Sequence, residues 1–84
     1  MMRKVIATVK IENNKKEAFD VEIFSDITAI NILAQLCKAY NLGNEINYCI
    51  FAIPPNRVLE QNETFEEVGI WDGAILILQK NRFE

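Results

Sequence analysis

A single segment of this chain repeats its apolar residues at helical spacing, and segments that alternate lie on both sides of it. Ala29, Ile32, Leu33, Leu36, Cys37 and Tyr40 recur three and four apart, which places them on one broad face of a helix of about four turns. Such a helix is long enough to cross one face of a small sheet. Thr28 stands where an N-cap is expected, with Ile27 placed to staple onto Ile32, and Gly43 after Leu42 is the expected C-cap.

The flanking segments supply the sheet. Val5, Ala7, Val9 and Ile11 alternate with Ile6, Thr8, Lys10 and Glu12, the period-two pattern of a strand with one buried face. Asn13, Asn14, Lys15, Lys16 and Glu17 interrupt the alternation, and Phe19, Val21 and Ile23 resume it across Asp20 and Glu22, so the two runs form a hairpin. After the helix, Ile46 to Ile53 reads as a strand that Pro54 and Pro55 must end, because proline lacks the ladder donor. Val58 and Leu59 form a short strand. Thr64 then caps one helical turn that tucks Phe65 and Val68 inward, Gly69 and Gly73 supply permissive turns, and Ala74 to Gln79 is the closing strand.

The order and spacing from Leu59 to Leu78 resemble ubiquitin, which has the same short strand, threonine-capped turn, isoleucine, tight turn and closing strand at matching intervals. Ile11, Phe19, Val21 and Ile23 look like the core positions of ubiquitin's first hairpin, Thr28 like its helix-capping threonine, and Cys49-Ile50-Phe51-Ala52 like its central strand. The resemblance implies an α+β, ubiquitin-like β-grasp fold: a mixed four- to five-stranded sheet packed on one main helix. Residues 1–80 are expected to form one domain and 81–84 a short C-terminal tail that folding does not need. Among bacterial members the chain most resembles the YukD/EsaB family, small cytoplasmic accessory proteins of Gram-positive type VII (WXG100) secretion systems. Ile70-Trp71-Asp72-Gly73 followed by Ala74 to Leu78 looks like their closing segment, although Ala74 replaces an acidic residue.

Composition narrows the function classes. Eighty-four residues, half of them hydrophobic, form one core and leave no room for a second domain. Nine basic against twelve acidic side chains give a net charge of −3, without the clustered positive footprint that nucleic-acid binding requires. No apolar run approaches the ~20 residues that span a bilayer, and the start of the chain lacks the apolar core of a signal peptide. A cytoplasmic protein without direct membrane insertion is expected. Cys37 and Cys49 have neither the paired spacing of a zinc site nor a redox motif, so both are expected to be reduced core residues and no metal is expected.

Catalytic residues and cofactors are not expected. The chain has no histidine, one serine (Ser25) and three isolated glycines, so neither an acid–base constellation nor a phosphate loop can be assembled. The superfamily's modifier and sulfur-carrier chemistry acts through a C-terminal Gly-Gly, whereas this chain ends Gln79-Lys80-Asn81-Arg82-Phe83-Glu84.

Recognition of proteins remains. In the ubiquitin alignment Leu76 and Leu78 point to the core, while Ile75, Ile77 and Ile50 fall on the outer sheet face, with Ile6 and Phe24 flanking them. An open sheet face is usually polar, so aliphatics there point to an interface, and Trp71 near an exposed turn is a residue type enriched at binding hot spots. The expected protein-binding residues are thus Ile50, Ile75, Ile77 and Trp71. Secretion-machinery proteins are the expected partners, and the chain itself is expected to be a monomer or weak homo-oligomer. The alternative is a small structural subunit of a multicomponent enzyme such as a bacterial oxygenase.

Overall fold

The computed structural model describes residues 3–12 and 18–81. Two strands, β1 (Lys4–Ile11) and β2 (Ala18–Phe24), are followed by the helix α1 (Ala29–Ala39). Then come β3 (Tyr48–Ile53), the two-residue β4 (Arg57–Val58), the short helix α2 (Phe65–Val68) and β5 (Ile75–Lys80). The turn expected at 13–17, with Lys15 and Lys16, lies outside the described residues.

The strand order β2-β1-β5-β3-β4 puts the first and last strands side by side in the centre. β1 and β5 run parallel and the remaining pairs are antiparallel, which is the mixed sheet expected of a β-grasp fold. Alternation fixes the register of the hairpin: Val5 faces Ile23, Ala7 faces Val21 and Val9 faces Phe19, so one set of side chains turns together toward the helix. Ala29, Ile32, Leu33, Leu36 and Cys37 are the buried residues of α1, and they close the core against Val5, Val9, Leu76 and Leu78. The helical face read from the sequence is therefore the one that packs.

The ends of α1 differ from the expectation. Thr28 is the N-cap residue, but its side chain makes no capping bond. The amides of Ala29 and Ile30 donate instead to the carbonyls of Glu63 and Gln61, at 2.8 and 3.0 Å, so a distant loop satisfies the helix start. At the other end the residue directly after the C-cap Tyr40 is Asn41, left-handed at φ +59°, and Gly43, at φ +95°, takes its positive φ two residues further on. Leu42 N donates to Cys37 O at 2.8 Å and Asn41 N to Lys38 O at 3.4 Å, a Schellman closure. Asparagine can fill that position because its short polar side chain tolerates positive φ.

The strand expected from Ile46 begins at Tyr48. Glu45–Asn47 is a 3-10 turn, favoured by Asn44, whose Oδ1 accepts from Ile46 N at 3.0 Å. Asn81, assigned to the tail by sequence, is tied to that turn: its N donates to Asn47 O at 2.8 Å, and Nδ2 donates to Ile46 O and Tyr48 O at 2.7 and 3.1 Å. The rest of the expected tail, 82–84, lies outside the described residues.

The α2 expectation holds in detail. Thr64 Oγ1 accepts from Glu67 N while Thr64 N donates to the Glu67 carboxylate, a complete capping box, and Gly69 ends the turn at φ +86°. The loop before it is fastened to β4. Arg57 Nη1 and Nη2 donate in parallel to Glu63 Oε1 and Oε2, both at 2.8 Å, and Oε1 also accepts from Glu60 N.

The bonds from Arg57, and then the one from the Glu60 backbone, hold the Glu63 carboxyl at about 2, well below its ordinary 4.5. A depressed folded-state pKa stabilises the fold above the unfolded value, and that contribution is lost as pH falls from about 4.5 toward 2. The Glu63 carboxyl carbon should therefore titrate near 2 by NMR, and Glu63→Gln should remove part of the acid-induced loss of stability. The groups lie at the surface, so screening keeps the gain small. A Glu63 midpoint in the ordinary range would contradict the paired geometry.

Candidate protein-interaction face

Because α1 covers one side of the sheet, side chains of opposite parity are left facing away from it. Leu76 and Leu78 are fully buried toward the helix, so Ile75 and Ile77 turn to the outer face, as the sequence predicts. Antiparallel pairing sets Phe51 opposite Ile77 and Ile53 opposite Ile75, and Val58 of β4 opposite Phe51. On the other flank Lys10 stands beside Ile77 and Thr8 beside Ile75.

Two rows result: Val58, Phe51, Ile77, Lys10, and next to it Ile53, Ile75, Thr8, Asp20. Their apolar ends form one contiguous five-residue patch over β4, β3 and β5, in which Val58 is 44% exposed and the other four are half-buried against one another. The border is polar: Lys10, Gln79 beyond Ile77, and the Thr8 hydroxyl donating to Asp20 Oδ1 at 2.9 Å. An apolar centre with a polar rim is the anatomy of a protein-binding surface.

Ile50 is not part of this face. It is 1% exposed, faces Leu78 across the ladder and belongs to the core; the outward residue is its neighbour Phe51. A slip of one residue exchanges the two faces of a strand, and the expected alignment of Cys49 with an inward position is off by that single step. Cys49 has the parity of Phe51 and is half-buried. The sequence reading missed Phe51, Ile53 and Val58 for the same reason. The signal that finds them is the pairing of β3 with β5, whose parity Leu76 and Leu78 set without ambiguity.

Trp71 lies apart from the patch, 42% exposed in the loop before β5, with the Arg3 guanidinium 4.8 Å from its ring centroid. The Asp72-Gly73 turn that follows is structural. Asp72 Oδ1 accepts from Ile6 N at 2.8 Å, and Gly73 N, at φ +91°, donates to Ile6 O at 3.0 Å. These bonds lead the chain into register beside β1.

A groove of about 650 Å³ opens between the start of α1 and the edge of β3, lined by Leu33, Tyr48, Cys49, Leu59, Asn62 and Asn81 among others. Both thiols are free. Burial, with smaller contributions from Glu45 and Glu12 respectively, pushes the thiols of Cys37 and Cys49 above the ordinary value, so both are protonated and weakly nucleophilic at neutral pH. Among the described residues no group of three or more His, Cys, Asp or Glu side chains could hold a metal ion. No helix among them is long and apolar enough to cross a membrane.

The fold is shared with solved ubiquitin-like structures. The chain superposes on a ubiquitin from Caldiarchaeum subterraneum with a TM-score of 0.78 at 16% identity, covering 96% of this chain and 98% of that one. A ubiquitin-like domain from an Arabidopsis thaliana protein gives 0.77 at 17% identity, covering 96% and 81%. The corresponding domain of Plasmodium falciparum Dsk2 gives 0.69 at 16% identity, covering 92% and 100%. No protein-family model matches the sequence, and no curated protein does either. At this identity the likeness establishes the ubiquitin-like β-grasp fold.

Proposed function

We propose that this ubiquitin-like chain is a single non-catalytic domain that binds partner proteins through its outer sheet face, as a cytoplasmic accessory component of a type VII secretion system. The observation that carries the binding role is the contiguous patch of Val58, Phe51, Ile77, Ile53 and Ile75 on the side of the sheet opposite α1. The absence of histidine from the chain and the protonated state of both thiols support a role without catalysis. The closing segment from Ile70 to Leu78, similar to that of the YukD/EsaB family, supports the secretion role.

The test is the double variant Phe51→Ala with Ile77→Ala. Each side chain is half-buried, so the variant should stay folded, losing about 1 kcal/mol per site. Truncating one interface anchor costs about 2 kcal/mol, so with two removed, binding to a partner isolated from the native host should weaken by at least about 30-fold. Undiminished binding by the folded variant would rule out this face. Mass spectrometry of the captured partner decides the finer reading: a secretion ATPase or a small WXG100 protein supports it, and an oxygenase subunit overturns it while leaving the binding face intact.

A further inference from the structure

A second surface, at the corner where β1 begins and β2 ends, has a different chemistry. Five large hydrophobic side chains are conspicuously exposed among the described residues, and three of them meet here: Ile6 at 50%, Trp71 at 42% and Phe24 at 39%. Two cations lie on the rings. The Arg3 guanidinium sits 4.8 Å from the Trp71 centroid, and the Lys4 ammonium 5.9 Å from that of Phe24. Neither cation forms an ion pair among the described residues. Carboxylates borne close by in register and sequence are those of Glu22, opposite Ile6, of Asp72, whose Oδ1 accepts from Ile6 N, of Asp26, next to Ser25, and of Glu66, whose N donates to Ser25 O.

The backbone beneath is held firmly. Ser25 N donates to Arg3 O at 2.7 Å and Arg3 N to Ser25 Oγ at 3.1 Å, while the Asp72-Gly73 turn is bonded to both sides of Ile6. A guanidinium resting on an indole retains N–H donors that can grip a carboxylate with two parallel bonds. Because rings and cations are already oriented, little ordering entropy remains to be lost on binding.

We propose that the corner formed by Arg3, Lys4, Ile6, Phe24 and Trp71 docks a linear segment of a partner protein that sets an Asp or Glu carboxylate beside a bulky apolar side chain. The carboxylate is received by Arg3 and Lys4 and the apolar side chain by Ile6 and the two rings. Charge complementarity selects this occupant, since the two cations rest on rings and neither forms an ion pair among the described residues. An anionic membrane fits less well. Two basic residues attract an anionic bilayer only weakly, and the excess negative charge elsewhere opposes approach to it. The proposal is separate from the outer-face reading and uses none of its five residues.

The experiment is selection of short random displayed peptides on the intact protein, with Trp71→Ala as counter-selection. Enriched peptides should share an acidic residue next to a large aliphatic or aromatic one. The best of them, made synthetically, should bind about tenfold more weakly to Trp71→Ala and to Arg3→Glu, weaken with added salt and shift the indole N–H resonance of Trp71. It should bind Phe51→Ala with Ile77→Ala undiminished, which separates this site from the outer face. Arg3→Glu lies at an exposed strand start and serves if Trp71→Ala proves unstable. Failure to enrich, peptides without acidic residues, or equal binding to Arg3→Glu would overturn the proposal. So would capture of phosphatidylserine vesicles in place of peptides, or wild-type self-association that Arg3→Glu abolishes.

Discussion

Ile50→Ala is expected to destabilise the domain by about 2–5 kcal/mol, whereas Phe51→Ala, one residue further on, should cost about 1. Ile50 lies in the core opposite Leu78 at 1% exposure, and its truncation leaves a cavity between the sheet and α1. Phe51 loses only a half-buried ring on the outer face. For a domain of this size each kcal/mol moves the melting temperature by about 4–8 °C, so thermal or urea melts should separate the variants clearly. Equal and small shifts for both would mean that β3 is paired one residue out of register.

Phe65→Ala is expected to cost about 3–5 kcal/mol, a large share of the ~5–15 that holds a typical domain together. The ring is fully buried although its helix is only four residues long, because the capping box and Gly69 fix the turn that aims it inward. Its loss should also be felt elsewhere. Glu66 N donates to Ser25 O, and Glu63 O and Gln61 O accept the first amides of α1, so loosening this segment unfastens the helix start. Hydrogen exchange at Ala29 and Ile30 should accelerate more than at Leu36. Phe65→Leu should recover much of the stability because it restores apolar volume. Protection at Ala29 and Ile30 that survives Phe65→Ala would show that the loop is held independently of the ring.

The sequence betrays its structure where one face of an element is apolar and the other is not. Val5, Ala7 and Val9 stand between polar neighbours apart from Ile6, so β1 could be oriented without a partner, and Leu76 and Leu78 follow from the strong turn chemistry ahead of them. From Tyr48 to Ile53 every residue is apolar or weakly polar, and both parities look equally buried. Only long-range pairing with β5 decides between them, and pattern alone cannot supply it. The ends of α1 were obscure for a related reason. A threonine before a helix is a strong local cue, but backbone carbonyls more than thirty residues later in the chain already bond the first amides. The aromatic–cation corner is harder still to read, since Arg3 and Trp71 are joined only by the fold.

The side-by-side placement of β1 and β5 bears on how the molecule comes into being. Of these five strands, the one made first is hydrogen bonded, parallel, to the one made last, with Thr8 opposite Ile75. Until the closing segment leaves the ribosome, β1 has β2 on one side and an open edge on the other, and β3 lacks its main partner. Most of the stabilising pairings are thus postponed to the end, which slows folding relative to helical domains of the same length and prolongs exposure of apolar strand edges. A nascent chain stalled before Ile75 should remain sensitive to protease, and release of the final strand should bring protection in one step.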